Sequence, residues 1–206
     1  MGLDDDLRTY YDAEALAGRR GIRDGMRHDL RRRFAEVLRA ERLAALVDVG
    51  AGPGIETADW IADGVAAVAV DLGLENCRLA GGQGVAAVAA SLYDLPFAGS
   101  CFPALWTMST FVHVPHARKD EALAELIRVV RPGAPLGIGT WGGRDFEGHP
   151  EFGDFRPYRF FSLMEHDAWR STLSAHGDVE SFDTFGPVDG SGWEYQFAVL
   201  RAGDAR

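Results

Sequence analysis

Apolar positions along the chain keep two different periods, and the changes of period mark out the elements. Met26, Leu30, Phe34, Val37 and Leu38 fall on one face at helical spacing, which predicts a first long helix. Residues 4–18 ahead of it have weaker helical character and carry Tyr10-Tyr11-Asp12. Ala45-Leu46-Val47-Asp48-Val49 reads as a short buried strand, followed by Gly50-Ala51-Gly52-Pro53-Gly54 and a helix to about residue 62. Residues 65–70 form a continuous apolar run ended by Asp71, the pattern of a strand buried on both faces. Residues 74–79 look helical, and residues 85–90 and 104–108 are further apolar runs. Ala122, Leu123, Leu126, Ile127 and Val130 line an amphipathic helix that Pro132-Gly133 stops, and residues 135–141 give a fifth strand.

The final third changes character. Residues 142–161 read as irregular and aromatic, with Phe146, Phe152, Phe155, Tyr158, Phe160 and Phe161. Ser162-Leu163-Met164-Glu165 matches a capping box before a helix reaching His176-Gly177. Residues 179–185 and 193–200 read as strands joined by a turn-rich segment, 186–192, and are expected to pair antiparallel at one edge. Strand and helix in alternation imply a mostly parallel sheet with helices on both faces. The expectation is an α/β fold: a doubly wound, seven-stranded, three-layer α/β/α sandwich with a C-terminal antiparallel hairpin. One domain over 1–206 is expected, with a helical cap (1–42), a cofactor core (43–141), and an acceptor-side insertion, helix and hairpin (142–206).

Composition narrows the function classes. Hydrophobic residues at 47% and charged residues at 25% are globular values, which exclude a disordered or fibrous chain. A formal charge of -10 argues against a nucleic-acid partner and favours a small molecule. Cys77 and Cys101 make no metal-spaced cluster and no disulfide framework, so they read as reduced thiols of a cytoplasmic protein. The opening Met1-Gly2-Leu3-Asp4-Asp5-Asp6 is acidic and lacks the apolar stretch of a signal peptide, and Asp6 stands where a myristoylation motif wants Ser or Thr. No segment is apolar for long enough to span a bilayer, so no membrane partner is expected. No pair of the six histidines has ligand spacing on a helix face, so no metal is expected.

The informative chemistry lies at Val47-Asp48-Val49-Gly50-Ala51-Gly52-Pro53-Gly54. Glycines between a strand and a helix let backbone approach a ligand, and the helix N-terminus favours a negative group. Asp71, ending the next strand, is placed to accept hydrogen bonds from ribose hydroxyls. A dinucleotide fingerprint beginning at Gly50 needs glycine at 55, which is Ile55, so a nicotinamide-dependent oxidoreductase is the weakest reading.

This glycine pattern, with Asp48 ahead of it, resembles motif I of the class I S-adenosylmethionine-dependent methyltransferases, of the small type-11-like kind. Ala69-Val70-Asp71-Leu72 is similar to the family's ribose-binding strand end, and Leu92-Tyr93-Asp94-Leu95-Pro96-Phe97 to its segment near the adenine. Residues 104–113 resemble the fourth strand and its exit loop, and Arg128-Val129-Val130-Arg131-Pro132-Gly133 the turn before the fifth strand. The resemblance implies a Rossmann-like fold and a methyl transfer from S-adenosylmethionine to an O, N or C atom of a small acceptor, leaving S-adenosylhomocysteine. It implies that Asp48, Gly50, Ala51, Gly52, Pro53 and Gly54 surround the methionine end and that Asp71 and Leu72 take the ribose. Ser91, Leu92 and Tyr93 would flank the adenine, and Met108, Ser109 and Thr110 the methyl-transfer face. Two positions depart from the family: Ser91 replaces a frequent acidic residue, and Phe102-Pro103 replaces Phe-Asp.

Several residues keep two readings. His113 is the candidate general base, or a packed histidine bonded to a backbone carbonyl; His116 reads better as a helix-start residue. Tyr11 or Tyr10 covers the cofactor in a lid, or packs on a surface helix. The aromatics of 141–161, with Arg144, Arg156 and Arg159, wall an acceptor pocket or cover the sheet edge. Arg19, Arg20, Arg23, Arg27, Arg31, Arg32, Arg33, Arg39 and Arg42 outnumber Asp24, Asp29, Glu36 and Glu41, and read as a solvated helix face sooner than an RNA footprint. Tyr158-Arg159-Phe160-Phe161-Ser162 loosely resembles a segment of some tRNA-modifying methyltransferases, which keeps an RNA acceptor as an alternative, beside a non-catalytic cofactor-binding protein. A homodimer stays open.

Overall fold

A computed structural model describes residues 2–19, 25–151, 153–187 and 192–203. Met1, Arg20, Arg23, Asp24, Phe152 and turn residues 188–191, all considered above, lie outside these.

Two helices, α1 (Leu3–Leu16) and α2 (Gly25–Ala40), precede the alternating core. The core runs β1 (Ala45–Val49), α3 (Ile55–Ala62), β2 (Ala66–Asp71), α4 (Leu74–Gly82), β3 (Ala87–Ala89), β4 (Leu105–Met108), α5 (Lys119–Val129) and β5 (Pro135–Gly142). After it come β6 (Phe146–Gly148), β7 (Phe161–Leu163), α6 (His166–Ser174), β8 (Gly177–Phe185) and β9 (Glu194–Ala202). Seven strands form one sheet in the order β3-β2-β1-β4-β5-β9-β8. The first five are parallel, and β9 pairs antiparallel with both β5 and β8. The expected doubly wound architecture and edge hairpin are therefore observed. The chain winds outward from β1 to β3 on one side and from β4 to β8 on the other. The loops leaving β1 and β4 part company there, which opens a crevice at their carboxyl ends.

Alternate residues of the central strands serve two cores. Val47, Val49, Leu105, Leu136 and Ile138 pack with α5 and with Trp169 of α6. Leu46, Trp106 and Met108 pack on the opposite face with Leu30, Phe34 and Leu38 of α2 and Trp60 of α3. Trp106 is the centre of this second core, its ring 5.2 Å from Phe34, 5.5 Å from Trp60 and 5.6 Å from Phe197. Its parallel partner is Gly137. A Cβ at Gly137 would lie 2.4 Å from the Trp106 ring, so the absent side chain is what admits the indole.

Three local expectations are corrected. The run 85–90 yields only a three-residue strand, because Val85 is spent on packing with Ala80 beneath the sheet edge. The segment 142–161 is not wholly irregular, since β6 pairs antiparallel with β7 in a separate small sheet. Ser162 does not cap a helix. It is buried within β7, and α6 begins at His166 with Glu165 as its N-cap. Phe161 and Leu163 on either side join Val112 in an apolar cluster, and that burial outweighs the local capping signal.

Gly137→Ala is expected to lower stability by roughly 1–3 kcal/mol through overpacking, read as a reduced urea midpoint with an unchanged slope.

Candidate active site

A cavity of about 490 Å³ occupies the crevice, a volume suited to a small ligand. Its floor is formed by the turns after β1, β2, β3 and β4. Its roof is one face of α1, where Asp4, Leu7, Tyr11 and Glu14 follow one another at steps of three and four residues.

The three glycines of the turn after β1 all take positive φ, +75°, +57° and +78°, but serve different ends. A Cβ at Gly50 would fall 1.9 Å from Thr110 Oγ1. Thr110 is thereby allowed close to the β1 exit, where its hydroxyl donates to Val49 O at 3.2 Å. Gly52 N donates to Asp71 Oδ2 at 2.7 Å. Gly54 opens α3, and a Cβ there would lie 2.8 Å from Ala80 Cβ, so it permits close helix packing and does not line the cavity.

Asp71 is held on three sides. Besides Gly52, Gly73 N donates to its Oδ1 at 2.8 Å and Asn76 Nδ2 at 3.0 Å. A carboxylate offers about four acceptor positions, so roughly one remains for a further donor in the cavity. Asp48 behaves differently. Complete burial, with Glu56 adding to it, pushes its carboxyl up to about 8, against one hydrogen bond from Thr57 Oγ1 at 2.7 Å. Burial thus favours its protonated form.

The opposite end of the cavity is aromatic and basic. Tyr11 Oη lies 2.6 Å from His113 Nε2, and His113 Nδ1 lies 2.7 Å from Phe160 O. A carbonyl only accepts, so Nδ1 donates to it, and in the neutral imidazole Nε2 then accepts from the Tyr11 hydroxyl. Arg159 Nη1 reaches the same hydroxyl at 3.4 Å. The loop carrying His113 is tied down by Lys119, which donates to Phe111 O at 2.8 Å and Ser162 O at 3.4 Å. Burial pushes that ammonium down to about 7.

The structure brings Tyr11, Asp48, Gly50, Ala51, Gly52, Pro53, Asp71, Leu72, Ser91, Leu92, Tyr93, Met108, Ser109, Thr110 and His113 to this one cavity. Of the aromatic segment, Trp141, Arg159 and Phe161 line it, whereas Phe146, Phe155, Tyr158 and Phe160 do not. His116 opens a short 3₁₀ turn outside it and pairs with Leu163 O. The solvated-face reading of the arginines is corrected at two positions. Arg27 donates to Ser109 Oγ at 2.5 Å within the cavity. Arg31 is buried against Trp60 and bonded to Asp63. Asp4, Leu7 and Glu14 are lining residues that the sequence reading missed. Their signal was present as the i, i+3, i+7, i+10 stripe through Tyr11.

A parallel sheet whose switch point holds a glycine turn, a fixed carboxylate and a cavity defines an α/β fold with a site of the kind that suits a nucleoside-bearing ligand. Residues 47–138 match the family model described as a methyltransferase domain. The malonyl-[acyl-carrier protein] O-methyltransferase of Pseudescherichia vulneris is 34% identical over 117 residues, covering 54% of this chain. The chain spans about half the length of that curated relative, 46%. The 1,6-didemethyltoxoflavin-N1-methyltransferase of Burkholderia thailandensis, solved with bound 1,6-didemethyltoxoflavin and S-adenosylhomocysteine, superposes with a TM-score of 0.72 at 22% identity, over 97% of this chain and 88% of that one. The DhpI–S-adenosylhomocysteine complex gives 0.67 at 20% identity, over 98% of both chains. The [4+2]-cyclase SpnF shares the fold at 0.62 and 18% identity, over 83% of this chain and 80% of that one. The three structures speak for the fold, and the match over residues 47–138 is to a methyltransferase domain.

Asp48→Asn tests that preference for the protonated form. A folded value near 8 against about 3.9 unfolded means that the Asp48 contribution is complete below pH 4 and is lost as pH rises through 8. The wild type is expected to lose up to about 1.4 kcal/mol per pH unit from this group across that window, and Asp48→Asn to lack that slope in denaturation at pH 5 to 8.5.

Proposed function

We propose that the protein binds S-adenosylmethionine in this cavity and transfers its methyl group to an oxygen, nitrogen or carbon of a small-molecule acceptor. The observation that carries this reading is the Asp71 carboxylate, held by Gly52 and Gly73 amides beside the glycine turn with acceptor capacity left over. The lining fits a nucleoside: an acceptor-only carboxylate for a ribose hydroxyl, then the apolar Leu72, Ala90, Leu92 and Val114 for a flat base. The fold by itself does not select methyl transfer, since a cyclase shares it.

When bound, S-adenosylmethionine supplies a methyl group on a positively charged sulfur that departs readily as a neutral thioether. The chain's task is then to hold acceptor and cofactor in line, exclude water, and take up a proton where the acceptor carries one. Tyr11, Trp141 and Phe161 wall the acceptor end. Tyr11 and His113 form the proton route: the acceptor proton passes to the Tyr11 oxygen as the Tyr11 proton passes to His113 Nε2. The Phe160 carbonyl holds the imidazole in the tautomer that leaves Nε2 open. In this reading Tyr11 belongs to the catalytic machinery, and His113 acts through it. Enclosure under α1 supports a small acceptor over RNA, as does the pairing of Arg32 with Asp29 and Arg33 with Asp183. Cys77 and Cys101, both free thiols, support a cytoplasmic setting. Among the described residues no helix is long and apolar enough to cross a membrane.

Calorimetric titration with S-adenosylmethionine, S-adenosylhomocysteine and NADH tests the cofactor. Micromolar binding of the first two alone is expected, and failure of a folded protein to bind either overturns the reading. Asp71→Ala is expected to weaken both by about 10- to 100-fold, the scale of lost hydrogen bonds to a charged group. With any acceptor found by screening phenols, carboxylic acids and N-heterocycles, Tyr11→Phe and His113→Asn are expected to lower kcat by about 10²–10⁴-fold while leaving cofactor affinity within a few-fold.

A further inference from the structure

We propose that Asp4, reaching into the cavity from the first turn of α1, reads the exocyclic amine of the cofactor's base and so selects adenine. The proposal rests on the cofactor reading above. The sheet order decides where the base goes. The glycine turn leaves β1, Asp71 ends β2, and residues 90–93 leave β3, the next strand outward. A nucleoside with its ribose on Asp71 and its sulfur arm toward Gly52 and Ser109 must direct its base toward residues 90–93. Leu72, Ala90 and Leu92 are apolar lining residues beside that strand end, and Leu7 of α1 lines the same cavity.

The carboxylate at this end comes from Asp4. Ser91 Oγ donates to Asp4 Oδ2 at 2.8 Å, and Tyr93 N donates to Ser91 Oγ at 3.4 Å. The serine hydroxyl therefore aims the carboxylate, and the backbone amide aims the hydroxyl. Asp4 is not used in capping its own helix. Asp5 does that, accepting from Gly2 N at 3.3 Å. Of the three first-turn acids, Asp4 is the one on the cavity-lining stripe, seven residues before Tyr11. An ionised carboxylate has acceptors and no donor, so it matches an amino group and opposes a ring carbonyl. Base recognition then requires α1 to be docked, and docking α1 also delivers Tyr11 to His113 at the other end of the same helix face.

The test is calorimetry on the full chain with S-adenosylhomocysteine and S-inosylhomocysteine, which carries a carbonyl where adenine has its amine. The wild type is expected to prefer the adenine ligand by at least about 30-fold, within the range for a charged hydrogen bond replaced by a repulsive contact. Asp4→Asn can turn its amide to face either group. It is expected to weaken S-adenosylhomocysteine about tenfold and to reduce the preference to under about threefold. Ser91→Ala, which keeps the carboxylate but not its aim, is expected to fall between the two. A merely structural role for Asp4 would weaken both ligands equally. An unchanged preference in Asp4→Asn, with the wild type binding S-adenosylhomocysteine, overturns this assignment alone. A folded wild type that binds neither ligand overturns the cofactor reading and this assignment together.

Discussion

The bond from Gly52 N to the Asp71 carboxylate is the constraint on which the site depends. It joins the turn after β1 to the end of β2, two strands that run parallel in register from Ala45 and Ala66 onward. Positive φ at Gly50 and Gly52 turns the backbone sharply as it brings that amide to the neighbouring strand's end. Gly73 and Asn76 complete the grip from the other side. Because three donors of the protein hold the carboxylate, it keeps one position before any ligand arrives. Such preorganisation reduces the ordering that binding requires.

Around this fixed point the polar groups divide by environment. Asp71 keeps hydrogen-bond donors about it, whereas the carboxyl of Asp48 is raised by burial and by Glu56. Lys119 is likewise pushed down by burial, yet its bonds to Phe111 O and Ser162 O join the loop after β4 to β7. These buried groups keep the floor of the cavity rigid. The roof is built differently. Helix α1 meets the floor through side chains: Asp4 to Ser91, Tyr11 to His113, and Asp12 accepting from Glu75 N at the start of α4.

Much of the fold was legible in the chain. Five apolar runs gave the five parallel strands, since parallel strands buried on both faces leave unbroken hydrophobic sequences, and the two segments read as an antiparallel pair gave the edge hairpin. The Ser162 capping box misled because a four-residue signal carries no information about burial, and Phe161 and Leu163 are buried. Arg27 and Arg31 were read as solvated from their charge. Their long stems let the guanidinium groups reach Ser109 and Asp63 from a helix whose other arginines face water.

By itself the sequence determined the alternation of strand and helix, the glycine turn and the acidic end of β2. All of these rest on neighbours a few residues apart, and so on periodicity and backbone sterics. Tertiary structure alone decided that Asp4 meets Ser91 across 87 positions and Tyr11 meets His113 across 102. Those pairings depend on how α1 seats over the sheet. That seating is set by packing among distant side chains, such as Tyr10 against Phe155. No local pattern encodes where two such surfaces will come to rest.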